Sequence, residues 1–195
     1  MKEKLLSILN EYLLLFPDEQ ERQQQLVEFL SNHNEREFTD WNNFDGHIVA
    51  SGFVYSIEDE KFLVLYHNDL KMYLYPGGHV DNNDNTILSA AEREVKEETG
   101  LVDFRLLELT RNKGVPIDID THRIGYNERL NLPEHFHFDF RYLFVIDKIA
   151  NIHMDKDEMS DYKWIDIDEL RNDPNYGKVA KKIERLLFKV KNKAF

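Results

Sequence analysis

The strongest constraint on this sequence comes from residues 77–101, where a glycine pair precedes a predicted helix with an acidic face. The pair at 77–78 interrupts a strand-like pattern and allows the backbone to approach a ligand closely. Helical spacing predicts a helix over about 86–99, and Gly100 suits its C-cap. The apolar side of this helix carries Leu88, Ala91 and Val95. The chain therefore combines strands with an amphipathic helix that ends at a glycine.

The acidic face of this helix is expected to hold a cation. Glu94, Glu97 and Glu98 are spaced as i, i+3 and i+4, so their carboxylates project from one face. A set of oxygen ligands suits a hard ion such as Mg²⁺. Arg93 is placed to orient the carboxylates by pairing with Glu97. The alternative is a solvated helix face, since glutamate is a good helix former, but the preceding turn "PGGHVD" favours a ligand site.

The segment "GGHVDNNDNTILSAAEREVKEETGL" resembles the Nudix box of hydrolases that split nucleoside diphosphates linked to another moiety. The second half of the family pattern is matched at Arg93, Glu94, Val95, Glu97, Glu98, Gly100 and Leu101. The first half has a one-residue insertion between Gly78 and Arg93. Asp84, counted forward, or Asn85, counted backward, stands where the family has its first glutamate. The box covers residues 78–101, and a bulged loop before the helix is expected to absorb the insertion.

The resemblance implies an α+β fold over about residues 46–172, an α/β/α sandwich with a mixed β-sheet. It also implies attack of water on a phosphorus of a diphosphate bridge, with Mg²⁺ or Mn²⁺ as cofactor. The implied partner is a small nucleoside diphosphate derivative: a nucleoside triphosphate, a nucleoside diphosphate sugar, ADP-ribose or a dinucleoside polyphosphate. One alternative is a non-catalytic nucleotide-binding or regulatory module, although the box glutamates are retained. Another is the isopentenyl diphosphate isomerase branch, whose chemistry usually employs a cysteine.

The same resemblance assigns roles to individual residues. The expected metal ligands are the carbonyl of Gly78 and the carboxylates of Glu94, Glu97 and Glu98. Arg93 is the expected orienting cation. Two residues are candidates for the general base, Glu94 on the helix and Glu158 in the loop "HMDKDEMSD", and Glu94 is preferred.

The remaining pattern divides the chain at residue 45. Residues 1–33 predict a helical hairpin, either a cap on the main domain or a contact in a homodimer, and a polar linker follows to residue 45. Residues 46–195 form the predicted Nudix domain. Its strands are expected at "HIVASGFVYS", "KFLVLYH", 103–110, 136–147 and 161–165, and its last helix near 176–191.

A second polar set alternates with aromatic residues in "EHFHFDFRYLFVID". One face of this strand carries His135, His137, Asp139 and Arg141. This row predicts either a polar substrate cleft or an exposed sheet face. In the first case Arg141 would bind a phosphate and the histidines would donate hydrogen bonds. His135 and His137 also suit zinc by spacing, but no third ligand follows from the sequence.

The long polar stretch at 117–134 is a candidate lid or specificity loop, and its Arg123 is a candidate substrate contact.

Charge and composition argue against several other classes of protein. The net charge of −12 argues against a nucleic-acid polymer as partner. The chain has no cysteine, which excludes disulfides and thiolate sites and suits a cytoplasmic location. No apolar run approaches the roughly 18 residues that a membrane span needs.

Overall fold

The structure is a computed structural model that describes residues 1–110, 114–126, 128, 131–174 and 176–193, without the side chains of 189–193. In these ranges the α-helices are α1 Lys2–Leu15, α2 Gln24–Asn32, α3 Ile87–Thr99, α4 Ile167–Asn172 and α5 Gly177–Lys193. The strands are β1 His47–Ser56, β2 Lys61–His67, β3 Met72–Leu74, β4 Gly77–His79, β5 Arg105–Leu106, β6 Asp118–Ile124, β7 His135–Ile146 and β8 Met159–Asp166. A short 3₁₀ helix spans Pro17–Glu19. Among the helices described, none is both long enough and apolar enough to cross a membrane.

All of these strands belong to one mixed sheet built around β1. β1 pairs in parallel with β7 along its whole length and pairs antiparallel with β4 and β2 at its two ends. The sheet continues from β2 to β3 and β8, and from β7 to β6 and β5. The predicted mixed sheet is therefore confirmed.

Helices cover both faces of the sheet and create two hydrophobic cores. On one face, Ala91 and Val95 of α3 pack with the aromatic residues of β7. On the other face, Val179 and Ile183 of α5 pack with Phe53 of β1 and with residues of β2 and β8. Burial of both sheet faces explains why β1 is mostly apolar and is buried throughout, and it produces the expected α/β/α arrangement.

The N-terminal helices share the α3-side core. Leu9 and Tyr12 of α1 and Leu26 of α2 are buried in it. Phe29 of α2 stacks on Phe138 of β7 with ring centroids 4.5 Å apart. The hairpin thus packs directly on the sheet, while the division of the chain at residue 45 stays a prediction.

Several elements differ from those expected. Residues 118–124, interpreted as part of a lid loop, form β6 and pair with β7. The strand expected at 103–110 is reduced to Arg105–Leu106. The glycine turn contains the short strand β4. β6 was missed because the aspartates that alternate with Ile117 and Ile119 suggested a solvated loop. In the structure Asp118 is buried and pairs with Arg22, Arg141 and Lys182.

Candidate active site

Helix α3 is held firmly at both ends. At its N-terminus the Thr86 side chain accepts a hydrogen bond from the Ser89 N–H, and the Ser89 hydroxyl accepts one from the Thr86 N–H. This reciprocal capping satisfies two backbone donors that the helix itself leaves unpaired. At the C-terminus Gly100 has φ of 70°, a left-handed conformation that favours glycine. The capped helix fixes the direction in which its glutamates project.

Arg93 lies at the centre of the acidic cluster. Its Nη1 donates to Glu94 Oε1 and to Glu97 Oε2, both at 2.8 Å. Its Nη2 donates to the His79 carbonyl at 2.8 Å and to Asp84 Oδ2 at 2.9 Å. Asp84 and Asn85 were the two candidates for the position of the first glutamate in the Nudix box, and Asp84 is the one that pairs with Arg93. The loop before α3 therefore absorbs the inserted residue while keeping a carboxylate on the arginine.

Glu98 is the most buried carboxylate of the cluster, with 4% of its surface exposed. Burial, followed by the negative charges of Glu94, Glu158 and Asp155, raises its pKa to about 9. The Gly77 N–H, which donates to Glu98 Oε2 at 3.3 Å, opposes this shift. Burial also raises the pKa of Glu94, against the effect of Arg93. Crowded carboxyls in this state are poised to exchange a proton for a metal ion.

The residues present fit a hard divalent cation. The donors are carboxylate and carbonyl oxygens, which Mg²⁺ and Mn²⁺ prefer. At Gly78 a Cβ atom would lie 2.7 Å from Glu94 Oε1, so the absence of a side chain keeps the backbone against that carboxylate. Glu97, with 59% of its side chain exposed, lies at the outer edge of the cluster.

The cluster opens into a cleft of about 1000 Å³. Among the predicted residues, the cleft is lined by Gly78, Arg93, Glu94, Glu98 and Glu158. The structure therefore brings both general-base candidates to the same site. Another wall of the cleft comes from the segment 35–41, including Arg36, Asp40 and Trp41. This contribution was missed, because a polar segment with scattered aromatic residues carries no signal that distinguishes a cleft wall from a linker.

The predicted polar row on β7 is partly buried in a charge network. Arg141 is 4% exposed and donates to Asp139, Asp118 and Asp120 at 2.8, 3.2 and 2.7 Å. Its donors are thus engaged by carboxylates, which does not support the predicted phosphate contact. Asp139 also accepts hydrogen bonds from Ser51 at 2.7 Å and from Tyr75 at 3.0 Å. Both β7 residues hold the sheet together in this structure.

The aspartates of β6 extend this network to distant elements. Asp118 accepts hydrogen bonds from Arg22 at 2.9 Å and Lys182 at 2.6 Å, so it joins the N-terminal segment to α5. Burial opposes the ionisation of Asp118, but the hydrogen bonds from Arg22 and the charges of Lys182 and Arg141 outweigh it and lower the pKa. Arg123, in contrast, is exposed and pairs with Glu134 outside the cleft.

His135 and His137 join other histidines at the end of the sheet. The ring of His47 lies 5.0 Å from that of His135 and 4.7 Å from that of His137. The His79 ring is 5.0 Å from that of His47. Burial lowers the pKa of His47 to about 4 and, together with neighbouring histidines, lowers that of His137. The His79 residue is exposed as a whole, but desolvation of its ring and the neighbouring His135 lower its pKa as well. The lowered pKa values favour the uncharged form of His47, His79 and His137.

Comparison with known proteins identifies the family. The NUDIX domain profile matches residues 46–187. The chain belongs to the Nudix hydrolase family. The predicted resemblance is confirmed, and the matched region includes the whole acidic cluster and the sheet that carries it.

Individual relatives agree with this assignment. A Lactococcus lactis subsp. cremoris (strain MG1363) protein named probable DHNTP pyrophosphohydrolase is 30% identical over 148 residues, which cover 76% of this chain and 81% of the relative. A Caenorhabditis elegans Ap4A hydrolase in a binary complex aligns with a TM-score of 0.54 at 18% identity, covering 72% of this chain and 96% of that one. A NUDIX hydrolase from Clostridium perfringens aligns with a TM-score of 0.53 at 23% identity, covering 74% and 97%. The two structural matches show the shared fold.

Proposed function

We propose that this Nudix protein hydrolyses a diphosphate bond in a nucleotide-type substrate, using Mg²⁺ or Mn²⁺ held by the acidic face of α3. The observation that carries the proposal is the convergence of Glu94, Glu98 and Gly78 on one cleft, with Glu97 tied to the same arginine. The retained glutamates favour an enzyme over a binding module. The absence of cysteine disfavours the isomerase branch.

The ligands proposed for the cation are the carboxylates of Glu94, Glu97 and Glu98 and the carbonyl of Gly78. When bound, such an ion neutralises charge that develops on the phosphate oxygens and lowers the pKa of a bound water. Arg93 shares one nitrogen between Glu94 and Glu97 and so holds both carboxylates in place. The Gly77 N–H fixes Glu98 in the same way. The protein thus supplies a pre-oriented set of oxygens.

The reaction requires a base that takes a proton from the attacking water as the new P–O bond forms and the bridging P–O bond breaks. Glu94 and Glu158 both line the cleft. Glu94 remains the preferred base because it lies on the rigid helix, whereas Glu158 is exposed on a loop. Loss of the base is expected to reduce kcat by about 10²–10⁴-fold. The test compares kcat and Mg²⁺ affinity of Glu94→Gln and Glu158→Gln. A variant that loses kcat but keeps its Mg²⁺ affinity has lost the base, whereas a variant that loses both has lost a metal ligand.

The substrate is proposed to enter along the wall formed by segment 35–41. Arg36 places a positive charge on this wall, where it would offset phosphate charge in an otherwise acidic protein. The 30% identical relative is named for dihydroneopterin triphosphate, abbreviated DHNTP, so this compound is the first candidate substrate. Nucleoside triphosphates, nucleoside diphosphate sugars, ADP-ribose and dinucleoside polyphosphates complete the set.

The test measures phosphate or pyrophosphate release from this set of substrates, with and without Mg²⁺ or Mn²⁺. Glu98→Gln is expected to lower turnover at least about 10²-fold, which corresponds to roughly 3 kcal/mol. Glu92→Gln alters a neighbouring α3 glutamate outside the box pattern and is the matched control, expected to retain activity. Normal turnover by Glu98→Gln would refute the proposed ligand set. If folded protein that binds the metal ion released no product from any of these substrates, a non-catalytic binding module would be favoured.

A further inference from the structure

Five of the eight histidines of this chain gather at one end of the sheet, and strand register explains how. His47 of β1 is the parallel partner of His137 of β7. His137 is in turn the antiparallel partner of His122 of β6. His79 of β4 pairs with Val49, two residues along β1 from His47. Register partners project from the same face of a sheet, so these imidazoles converge.

Three of these histidines have the spacing of a metal site. One ligand nitrogen from each of His47, His79 and His137 lies within 4.8 Å of the other two. A tetrahedral ion with nitrogen ligands at about 2.0–2.1 Å holds those nitrogens roughly 3.3 Å apart. Each nitrogen–nitrogen distance would therefore have to shorten by about 1.5 Å or less, and rotations of the imidazole side chains can produce a change of this size.

Hydrogen bonds assign the protons of two neighbouring rings. His47 Nδ1 lies 3.4 Å from the Asn43 carbonyl, and His135 Nδ1 lies 2.8 Å from the Pro133 carbonyl. A carbonyl oxygen only accepts, so each Nδ1 carries a proton and each Nε2 keeps its lone pair. Histidine ligands commonly show this arrangement, with one N–H bound to a carbonyl and the other nitrogen on the metal.

A nitrogen of His47 that no described residue pairs with indicates a ligand. His47 Nε2 is buried and has no hydrogen-bond partner in the part of the chain that the structure describes. Leaving such an atom unpaired is unfavourable, and a metal ion would satisfy it. His135 Nε2 accepts a hydrogen bond from His137 Nε2 at 3.2 Å, so it lies beside the three proposed ligands and is a candidate for the fourth.

We propose that His47, His79 and His137 form a second metal site, which binds a nitrogen-preferring divalent ion of the Zn²⁺ class. Three imidazoles favour Zn²⁺ and its first-row neighbours, whereas Mg²⁺ prefers oxygen. His79 is exposed and lines the cleft, so an ion reaches the site from solvent. Because the His79 carbonyl accepts a hydrogen bond from Arg93, a bound ion would tie the start of the Nudix box to β1 and β7.

The test uses the full chain, stripped of metal with a chelator and then saturated with Mg²⁺ to occupy the carboxylate site. Co²⁺ is added first, because its visible absorption reports tetrahedral nitrogen coordination, and Zn²⁺ affinity follows from calorimetry. Wild type is expected to bind one equivalent in the presence of Mg²⁺. His79→Gln and His137→Gln are expected to bind at least about tenfold more weakly. His79→Gln alters an exposed side chain, and circular dichroism checks the fold of both variants.

Two controls decide which residues hold the ion. His153→Gln changes an exposed histidine outside the cluster and is expected to bind Zn²⁺ as wild type does. Glu98→Gln is expected to keep Zn²⁺ binding and to lose Mg²⁺ binding. The proposal is overturned if both cluster variants bind Zn²⁺ as tightly as wild type. It is also overturned if Glu98→Gln abolishes Zn²⁺ binding while His79→Gln retains it, because the ion then belongs to the carboxylates.

Discussion

The substitution Glu98→Gln is expected to stabilise the metal-free protein and to lower its metal-dependent turnover at least about 10²-fold. Burial and neighbouring acids raise the pKa of Glu98 from its ordinary value of 4.5 to about 9 in the folded chain. Between these two values the folded protein retains a proton that the unfolded chain has lost. The free energy of unfolding therefore falls by about 1.4 kcal/mol per pH unit as the pH rises.

The expected size of the effect follows from this slope. From pH 5 to pH 8 the wild-type protein should lose roughly 4 kcal/mol through this group. Glutamine resembles the protonated acid in shape and does not titrate in this range. The variant should therefore match wild type near pH 5 and exceed it by roughly 4 kcal/mol at pH 8. For a chain of this size that difference corresponds to roughly 8–16 °C in Tm.

The assay is urea or thermal denaturation in the presence of a chelator, at several values between pH 5 and pH 8. Glu97→Gln is the control, because the Glu97 side chain is 59% exposed and its replacement should change stability by less than about 1 kcal/mol. If the free energy of unfolding showed the same pH dependence in Glu98→Gln and in wild type, the argument that burial raises the pKa of Glu98 would be refuted. Added Mg²⁺ should stabilise wild type by mass action and leave Glu98→Gln unchanged.

Three further substitutions test the site and the packing around it. Gly78→Ala places a Cβ atom 2.7 Å from Glu94 Oε1, so kcat measured at saturating Mg²⁺ should fall at least about tenfold. Asp118→Asn removes the buried carboxylate that Arg22, Arg141 and Lys182 share, and the free energy of unfolding in urea should fall by about 3–5 kcal/mol. Phe29→Ala removes the ring stacked on Phe138 and should cost about 3–5 kcal/mol in the same assay.

Each of these substitutions has a matched control. Gly125→Ala adds a Cβ atom with no neighbour within 4 Å and should leave kcat unchanged. Asp103→Asn changes an exposed aspartate, and Val27→Ala changes a side chain on α2 that is 40% exposed, so both should alter stability by less than about 1 kcal/mol. Equal losses in a variant and its control would contradict the specific role of Gly78, Asp118 or Phe29.

The sequence by itself determined the elements whose signals are local. Helix α3, its acidic face and its end at Gly100 follow from spacing within 14 residues, and the structure places them as expected. The hairpin of β1 and β2 was equally visible, since both strands are apolar runs around a short polar turn. The box motif then indicated the family, and the family implied the mixed sheet that the structure contains.

Only the tertiary structure decided what Arg141 and the polar strand β6 do. Because their residues are polar, Arg141 was predicted to contact a phosphate, and β6 was predicted to be part of a lid or specificity loop. Arg141 instead pairs with Asp118 and Asp120 of β6. Asp118 also pairs with Arg22 and Lys182, which lie far apart in the sequence. A charged strand face has the same residue pattern whether it is solvated or buried among ion pairs, so the local sequence does not distinguish the two cases.

Two other features depend on tertiary contacts in the same way: the histidine cluster, and the cleft wall that residues 35–41 form. The cluster requires the parallel register of His47 with His137, about 90 residues apart, and the antiparallel placement of β4. Such registers are set by the packing of the whole sheet between its two helical layers. Local spacing determines which side chains share a helix face, whereas long-range pairing determines which distant side chains share a site.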